Sequence, residues 1–590
     1  MLLFRVFSIP VRFFIALLIY FSWGPLAGGV VTAPVPEFSS PALIPYPSKV
    51  VRGAGEAGFR SVHVKVGSDV PGRDDLMKEI KDIFRTSGIQ GSLNSGGAAE
   101  GAMTWELFPD ARMKGEGYDL SVGLGKATVR AGSFGGFFNA LQTLRQLVFN
   151  REGEFAMPVV RISDKPAFVL RGIMLDVGRY YMSPALIKEV MRRLSRYKIN
   201  TLHLHLTDDP AWRLEVKKYP ALTDGAFHWK SRLPGRFYTQ AQLKDLTDYC
   251  ARLNIQVIPE IDMPGHSQPF ARAMKTGMQT EKGVSILKDV VDEAVSLFPG
   301  RFFHMGSDEA HISMKDFIPR MAEHIRGKGK EVVVWSPGGP HDKDSVLMCW
   351  GENEAGARMD KNMKRIDSNG FYIDWADSQS GVYQVFFQQP CEVPQGDDKA
   401  LGAIMPVWCD GNLSSERRVL EQYPFYPCAL TFAERVWRGS ATKRRDYMAQ
   451  LPPRGTDGWK EFREFEQRLA FHRDHFFQGV PFAYVKQADV AWSLVGPFDH
   501  RGKNDTSFEP ERRIAPSYRD GDRILAWKKT PVYGAAVHVR HLFAMFNMHR
   551  NQYRTDHWPS LMSREVGKED GTCYALTFIR SPREIGRAHV

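Results

Sequence analysis

The chain has 590 residues, of which 43% are apolar and 25% are charged, proportions that are typical of a folded globular protein. This length is too great for one ordinary core and predicts two to four domains. The net charge of +11 would suit a nucleic-acid partner, but the basic residues are scattered and no zinc-finger spacing occurs, so we expect no nucleic acid.

The N-terminus has the pattern of a signal peptide. Basic residues precede the apolar run 13–23, and small residues follow near Ala27 and Ala33. The run is short for a membrane span, although an uncleaved anchor is the alternative reading. We therefore predict a signal peptide over 1–33 and an exported protein, whether periplasmic, secreted or cell-surface, with no stable membrane span after cleavage.

The six cysteines are widely spaced and form no C-x-x-C pair, which argues against a metal site. Their spacing leaves open one or two disulfides in an exported protein. Cys250 lies within a helical pattern, so we expect it to be a buried thiol.

A small α+β domain is predicted over 34–160. A helical pattern near 74–86 precedes alternating, strand-like residues at 118–122 and 126–132, and a second helical pattern at 135–148 closes the domain.

From Phe168 onward, short apolar runs alternate with amphipathic helical patterns, as in repeated βα units. Eight such runs predict an α/β fold, a (β/α)8 TIM barrel, over 161–440. The predicted strands are 168–177, 201–206, 256–261, 301–307, 331–336, 345–350, 370–374 and 402–408, and the helices between them include 184–198, 241–254 and 283–298.

After the barrel, the sequence predicts a helical linker region over 441–485 and a β-rich C-terminal module over 486–590. The last six residues, IGRAHV, look like translated sequencing-adaptor DNA, so we expect this module to be incomplete.

In such a barrel, chemistry is expected at the C-terminal ends of the strands. The run 301–311 ends in two adjacent carboxylates, Asp308 and Glu309, which are either catalytic or simply favourable at a helix N-terminus. The other ends carry carboxylates and aromatic rings, a combination that suits a sugar pocket. These residues are Asp208, Asp262, His266, Trp335, Trp350, Tyr372, Asp374 and Trp408.

Four motifs in order, LRGIMLDVGRYY, LHLHLTDDPAWR, IPEIDMPGH and HMGSDEAH, resemble those of glycoside hydrolase family 20, the β-N-acetylhexosaminidases, over roughly residues 50–440. The resemblance implies an exo-acting retaining hydrolase that removes terminal β-linked N-acetylglucosamine or N-acetylgalactosamine through an oxazolinium intermediate. It implies no cofactor and no metal, with N-acetylhexosamine-containing glycans or chitin fragments as partners.

The resemblance also assigns roles. Glu309 would be the general acid, with a pKa raised by partial burial, and Asp308 would orient the substrate's acetamido group. Asp208, His266 and Asp262 would support catalysis. The implied substrate-binding residues are Arg171, Trp335, Trp350, Tyr372, Asp374, Trp408 and Asp410.

Two positions depart from the family pattern. Ser307 replaces the usual second glycine before the acidic pair, and Asp410 stands where a glutamate is usual, which leaves the preference between gluco and galacto sugars open. Three other functions remain as alternatives: a catalytically inactive glycan-binding barrel, a lacto-N-biosidase-like enzyme that releases a disaccharide, and, least favoured, a metal-dependent hydrolase.

Overall fold

The structure is a computed structural model. It describes residues 2–7, 41–94, 99–151, 154–351, 359–373, 380–411, 413–421, 423–440, 452, 455–484, 493–501, 503, 505–529 and 571–577. The apolar run 13–23 and the residues after 577 lie outside this set. Among the described residues, no helix combines the length and the apolar character needed to cross a membrane.

The N-terminal part forms an α+β layer, as predicted. Alternating burial along its strands leaves one sheet face apolar, and the helices pack on that face. The sheet order is β2-β9-β6-β7-β5-β3-β4, with β8 paired to β9. The elements up to this point are β1 Leu2–Phe7, β2 Lys49–Phe59, β3 Ser61–Val66, α1 Arg73–Ser87, β4 Gln90–Leu93, β5 Ala102–Pro109, β6 Tyr118–Gly123, β7 Lys126–Ala131, α2 Phe134–Leu147, β8 Phe149–Arg151 and β9 Glu154–Asp164.

Eight parallel strands then close into a barrel in chain order, β10-β11-β14-β15-β16-β17-β18-β19, which confirms the predicted fold class. The first barrel helix begins after Ser183, whose hydroxyl accepts from the Leu186 amide. The elements are β10 Leu170–Asp176, α3 Pro184–Ser195, β11 Thr201–His205, β12 Thr207–Asp208, β13 Ala211–Trp212, α4 Gln240–Arg252, β14 Gln256–Glu260, α5 Gln268–Met274, α6 Glu281–Leu297, β15 Phe302–His304, α7 Phe317–Gly327, β16 Glu331–Ser336, β17 Val346–Cys349, β18 Arg365–Asp367, α8 Ser380–Phe386, β19 Ala400–Val407 and α9 Phe425–Arg438.

The seventh barrel strand is not where the sequence predicted it. The strand is β18, Arg365–Asp367, whereas 370–374 begins within a short 3-10 turn, Asn369–Phe371, that follows it. Two of the three residues of β18 are charged, so it lacks the apolar run by which buried strands are identified. The prediction therefore placed the strand five residues too late.

The barrel interior is filled by apolar side chains in layers, as is usual for this architecture. Near its upper end, Trp335 of β16 belongs to this inner core, and Trp350 and Trp408 pack on it from above. The interior is thus closed beneath the C-terminal ends of the strands, and these ends form the floor of any site.

An ion-pair network joins the N-terminal domain to the barrel. Glu79 and Asp82 of α1 face Arg145 of α2 and Arg192 of α3, with Glu79 2.8 Å from Arg145 and 2.6 Å from Arg192. Arg192 also pairs with Asp82. Because three different helices contribute to one cluster, α3 is held against the N-terminal domain.

The C-terminal part contains α10 Asp457–Phe476, β20 Ser493–Asp499, β21 Ser517–Asp520, β22 Arg523–Ala526, β23 Lys528–Lys529 and β24 Gly571–Thr577. Its sheet has the order β1-β24-β20-β23, so the start of the chain pairs with its last described strand. All six cysteines are buried thiols, Cys250 among them as predicted, and no disulfide forms.

Candidate active site

The loop after β15 carries the acidic pair, and its backbone is unusual. Gly306, Ser307 and Glu309 all have positive φ, of 68°, 83° and 49°. A Cβ on Gly306 would lie 1.9 Å from Asp262 Oδ1, so only glycine fits there. The helix-terminus interpretation is wrong, because the next helix, α7, begins only at Phe317. The fold instead accepts a strained backbone to display this pair.

Glu309 stands at the mouth of the barrel, beside His266. Glu309 Oε2 lies 3.4 Å from His266 Nε2, and its side chain is 59% exposed. The hydrogen bond from His266 lowers the pKa of Glu309. The bonds of His266 to Asp209 and Glu309 in turn raise the pKa of that imidazole to about 11.

The predicted rise in the pKa of Glu309 is therefore wrong. A partly buried carboxyl beside a like charge would have a raised pKa, but the Glu309 side chain is largely exposed and lies beside His266, which lowers its pKa. Because the pKa of His266 is raised, the imidazole is the more basic group of this pair.

Asp308 has the opposite environment. Burial, together with the charges of Asp262 and Glu260, raises its pKa well above the ordinary value. Asp262, fully buried, has its pKa raised to about 7 by burial and by Glu260. Asp308 and Glu309 are adjacent, and their pKa values shift in opposite directions, which indicates different chemical roles.

Arg179, which the sequence analysis did not assign to the site, lies at its centre. Its guanidinium is 3.1 Å from Asp176, 3.1 Å from Asp208 and 3.2 Å from Asp410, and lies 4.7 Å from the centre of the Trp408 ring. Although burial opposes the charged form, Asp176 and the other carboxylates raise the pKa of Arg179. The signal was available, because Arg179 follows the C-terminal end of β10.

Arg171 does not belong to the site, and its assignment there was wrong. It lies at the N-terminal end of β10, and its side chain is 1% exposed. Its guanidinium donates to the Lys198 and Phe168 carbonyls and pairs with Glu116 at 2.7 Å. These contacts anchor the bottom of the barrel to the N-terminal domain, at the opposite end from Glu309.

Most of the predicted aromatic residues gather above the inner core. The Trp408 ring lies 5.8 Å from Trp335 and 6.4 Å from Tyr372, and the half-buried Trp350 donates its indole N–H to the Pro337 carbonyl at 2.9 Å. Trp335 is fully buried and donates its own N–H to Glu260 at 2.7 Å, so it lies beneath the site and does not form one of its sides. Asp374 lies outside the described residues.

Asp410 is placed at the rim, with its carboxylate 61% exposed and paired with Arg179. Its backbone carbonyl accepts from Arg232, which also binds the carbonyls of Cys409 and Gly411. Arg232 therefore fixes the loop after β19 independently of the Asp410 side chain.

Two triads lie close enough together to share a metal ion: His203, Glu260 and His304, and His205, Asp208 and Asp262. The three acidic members of these sets already have protein partners. Glu260 is bound by Trp335 and His205, Asp208 by His205 and Arg179, and Asp262 by the Ser307 amide. Since protein donors occupy these carboxylate oxygens, the two triads are poorly suited to metal binding.

Two family models match this chain: "Glycosyl hydrolase family 20, catalytic domain" over residues 168–283, and "Glycosyl hydrolase family 20, domain 2" over 40–165. A β-N-acetylhexosaminidase of Cellulomonas fimi is 30% identical over 454 residues, which span 68% of this chain and 86% of that protein. The chain belongs to glycosyl hydrolase family 20.

Other family 20 relatives are longer. A β-hexosaminidase of Porphyromonas gingivalis is 31% identical, over 56% of this chain and 52% of its own length. A second, of Vibrio furnissii, is 29% identical, over 52% of this chain and 63% of its own length. This chain thus spans about half to two thirds of these two relatives.

Solved structures share the fold. The family 20 β-N-acetylhexosaminidase of Streptomyces coelicolor aligns with a TM-score of 0.63 at 24% identity, over 76% of this chain and 98% of its own. The chitobiase of Flavobacterium johnsoniae aligns at 0.59 and 25% identity, over 73% of each chain.

Proposed function

We propose that this chain is an exo-acting, retaining β-N-acetylhexosaminidase that removes terminal β-linked N-acetylglucosamine or N-acetylgalactosamine. The observation that carries the proposal is the contact between Glu309 Oε2 and His266 Nε2, with the half-buried Asp308, whose pKa is raised, next to Glu309. The names of the family 20 relatives support the substrate class.

In the proposed first step, the carbonyl oxygen of the substrate's 2-acetamido group attacks C1 while the bond from C1 to the leaving oxygen breaks. Glu309 gives its proton to that oxygen, and an oxazolinium ion forms. In the second step Glu309 takes a proton from water, which attacks C1 and regenerates the acetamido group. The configuration at C1 is retained because it is inverted twice.

The proton for the first step is supplied by the pair of His266 and Glu309. The raised pKa of His266 and the lowered pKa of Glu309 favour a shared proton on the imidazole while the Glu309 side chain is open to water. A sugar bound over Glu309 excludes water, which disfavours the separated charges and favours the carboxylic acid beside a neutral imidazole. Substrate binding thus moves the shared proton to Glu309, which can then act as the general acid.

Asp308 serves the acetamido group. From its half-buried position it would accept the acetamido N–H and, once ionised, stabilise the positive charge of the oxazolinium ion. Its raised pKa supports this role, because a carboxylate that is costly to ionise alone gains most from a cation beside it.

The test is a panel of gluco- and galacto-configured β-N-acetylhexosaminides and their disaccharides, presented to the full chain. We expect release of the terminal monosaccharide and inhibition by a thiazoline mimic of the oxazoline. Release of a disaccharide unit would select the lacto-N-biosidase-like alternative, and binding without turnover the inactive glycan-binding barrel. Hydrolysis of none of the panel would refute the proposal.

We also propose that the chain is exported, on the basis of the basic and apolar pattern before Ala33. Fractionation of cells that express the full chain tests this. Export should produce a mature form shortened by about 30 residues, the length usual for such peptides; an uncut chain in the cytoplasm would contradict it.

A further inference from the structure

A buried carboxylate beneath the site has no role assigned so far. Glu260 ends β14, and its side chain is inaccessible to solvent. Trp335 Nε1 donates to Oε1 at 2.7 Å, and His205 Nδ1 lies 2.8 Å from Oε2. His203 Nε2 lies 2.8 Å from the same Oε2, and His304 Nδ1 lies 3.3 Å from Oε1. The Nδ1 of His304 itself accepts from the Gly306 amide at 3.0 Å, so the hydrogen bonds to Glu260 come from Trp335 and His205, one to each oxygen. Such bonds are what a buried charge requires.

His205 connects this carboxylate to the catalytic groups. Its Nδ1 faces Glu260, and its Nε2 lies 3.0 Å from Asp208 Oδ2. Ionised carboxylates only accept hydrogen bonds, so a ring held between two of them must donate from both nitrogens. Such a ring is an imidazolium ion, and its two bonds are charge-assisted.

Beyond His205 the contacts continue to the surface. Asp208 Oδ2 lies 3.1 Å from Arg179 and 3.8 Å from His266 Nδ1, and the other nitrogen of His266 faces Glu309. The charges alternate along this path, and each group is a neighbour of the next.

We propose that Glu260 is a positioning residue for the reaction: as the counter-ion of His205, it keeps that ring donating to Asp208, which holds Arg179 and His266 in place. This inference rests on the proposed function. It adds a residue that touches neither the substrate nor Glu309.

His203 provides a matched control. It lies two residues before His205 on β11, is equally buried, and faces the same oxygen of Glu260. It has no second carboxylate, and burial lowers its pKa to about 4, so it stays neutral. Despite burial, Glu260 and Asp208 raise the pKa of His205 well above the ordinary value.

The charged surroundings of His205 come from several elements. Glu260 of β14, Asp208 of β12 and Asp176 of β10 favour its protonation. The Trp408 ring, which directly follows β19, packs against the His205 ring at 77°, with 5.2 Å between the ring centres. Glu260 and Asp208 contact His205 directly, whereas Asp176 acts through its charge. Removal of Glu260 should therefore change the charge of His205 more than removal of Asp176 would.

The experiment compares Glu260→Gln with His203→Gln and wild type. In wild type, His205 stays protonated throughout the working range. In Glu260→Gln we expect His205 to titrate within that range, so kcat/KM gains a new ionisation and falls about tenfold as pH rises through it, the difference between a charge-assisted and a neutral hydrogen bond. His203→Gln should keep the wild-type profile shape.

A second measurement does not depend on activity. Histidine-labelled protein is followed by nitrogen NMR during a pH titration, and the His205 signal is assigned by its absence from His205→Gln. We expect a persistent imidazolium in wild type and in His203→Gln, and a titrating ring in Glu260→Gln. If Glu260→Gln fails to fold, the wild-type spectrum alone decides, because a His205 that titrates normally there overturns the inference.

The two proposals fail in different ways. A wild-type protein that hydrolyses none of the panel refutes the proposed function, whereas the NMR titration still tests the link from Glu260 to His205. An active wild type whose Glu260→Gln and His203→Gln variants have the same pH profile overturns the inference alone.

Discussion

Replacement of Arg179 by methionine, which keeps most of the volume and removes the charge, should separate its role from that of Arg171. Arg179 lies within 3.2 Å of three carboxylates, of which Asp176 and Asp208 are inaccessible to solvent. Removing one partner of a buried pair costs about 3–5 kcal/mol. The third pair, to the exposed Asp410, contributes at most about 1 kcal/mol.

Because the carboxylates of Asp176 and Asp208 lie at the site, part of the lost free energy should appear as slower catalysis. We expect kcat/KM to fall about 10²- to 10³-fold, or about 3–4 kcal/mol at about 1.4 kcal/mol per factor of ten. The remainder should appear as a lower free energy of unfolding. Initial rates with a 4-nitrophenyl β-N-acetylglucosaminide, corrected for the folded fraction measured in urea, give both quantities.

The matched control is Arg171→Met, at the opposite end of β10 from Arg179. This substitution also removes buried hydrogen bonds and the ion pair with Glu116, so the free energy of unfolding should fall comparably. Its kcat/KM per folded molecule should stay at the wild-type value. The reasoning is refuted if Arg179→Met keeps kcat/KM within about threefold of wild type, or if Arg171→Met loses as much activity per folded molecule.

Three further predictions concern the loop after β15. Glu309→Gln should lower kcat by about 10²- to 10⁴-fold while the urea midpoint stays unchanged, since the side chain is largely exposed; a stable variant with normal kcat would contradict its role as the acid. The value of kcat should decrease towards acid pH, because the pKa of Asp308 is raised and its ionised form stabilises the intermediate. This acid-side decrease should be absent from Asp308→Asn. A wild-type profile without the decrease, or a decrease that persists in Asp308→Asn, would argue against this. Gly306→Ala should lower the free energy of unfolding by about 2 kcal/mol or more, because the new methyl group would overlap Asp262 at a positive φ, whereas Gly327→Ala, in open space, should be neutral. Equal urea midpoints for the two alanine variants would disprove that explanation.

Most of the barrel could be predicted, because seven of its eight strands are apolar runs that are separated by helical patterns. The seventh, β18, could not, since two of its three residues are charged and their partners lie outside the strand. Arg365 donates to the Lys361 carbonyl, and Asp367 accepts from the Cys391 amide. A charged residue is cheap to bury only where such partners exist, and sequence periodicity does not reveal them.

The site shows the same division. Position at a strand end identified Asp208, Asp262, His266 and the acidic pair, and the same rule applied to β10 would have favoured Arg179 over Arg171. The roles of His205 and Glu260 depend on which side chains of neighbouring strands meet inside the barrel. The pKa of Glu309 depends on solvent exposure, which only the folded loop determines.

The ion-pair network between α1, α2 and α3 has a consequence for how the two domains can vary. Glu79 and Asp82 come from one domain and Arg192 from the other, and the helix that carries Arg192 directly follows the strand and loop that hold Asp176 and Arg179. A barrel transplanted onto a different N-terminal domain would carry an unneutralised Arg192 on the helix that directly follows its Arg179 loop. Exchange of domains among relatives should therefore succeed only when both halves of this charge cluster move together.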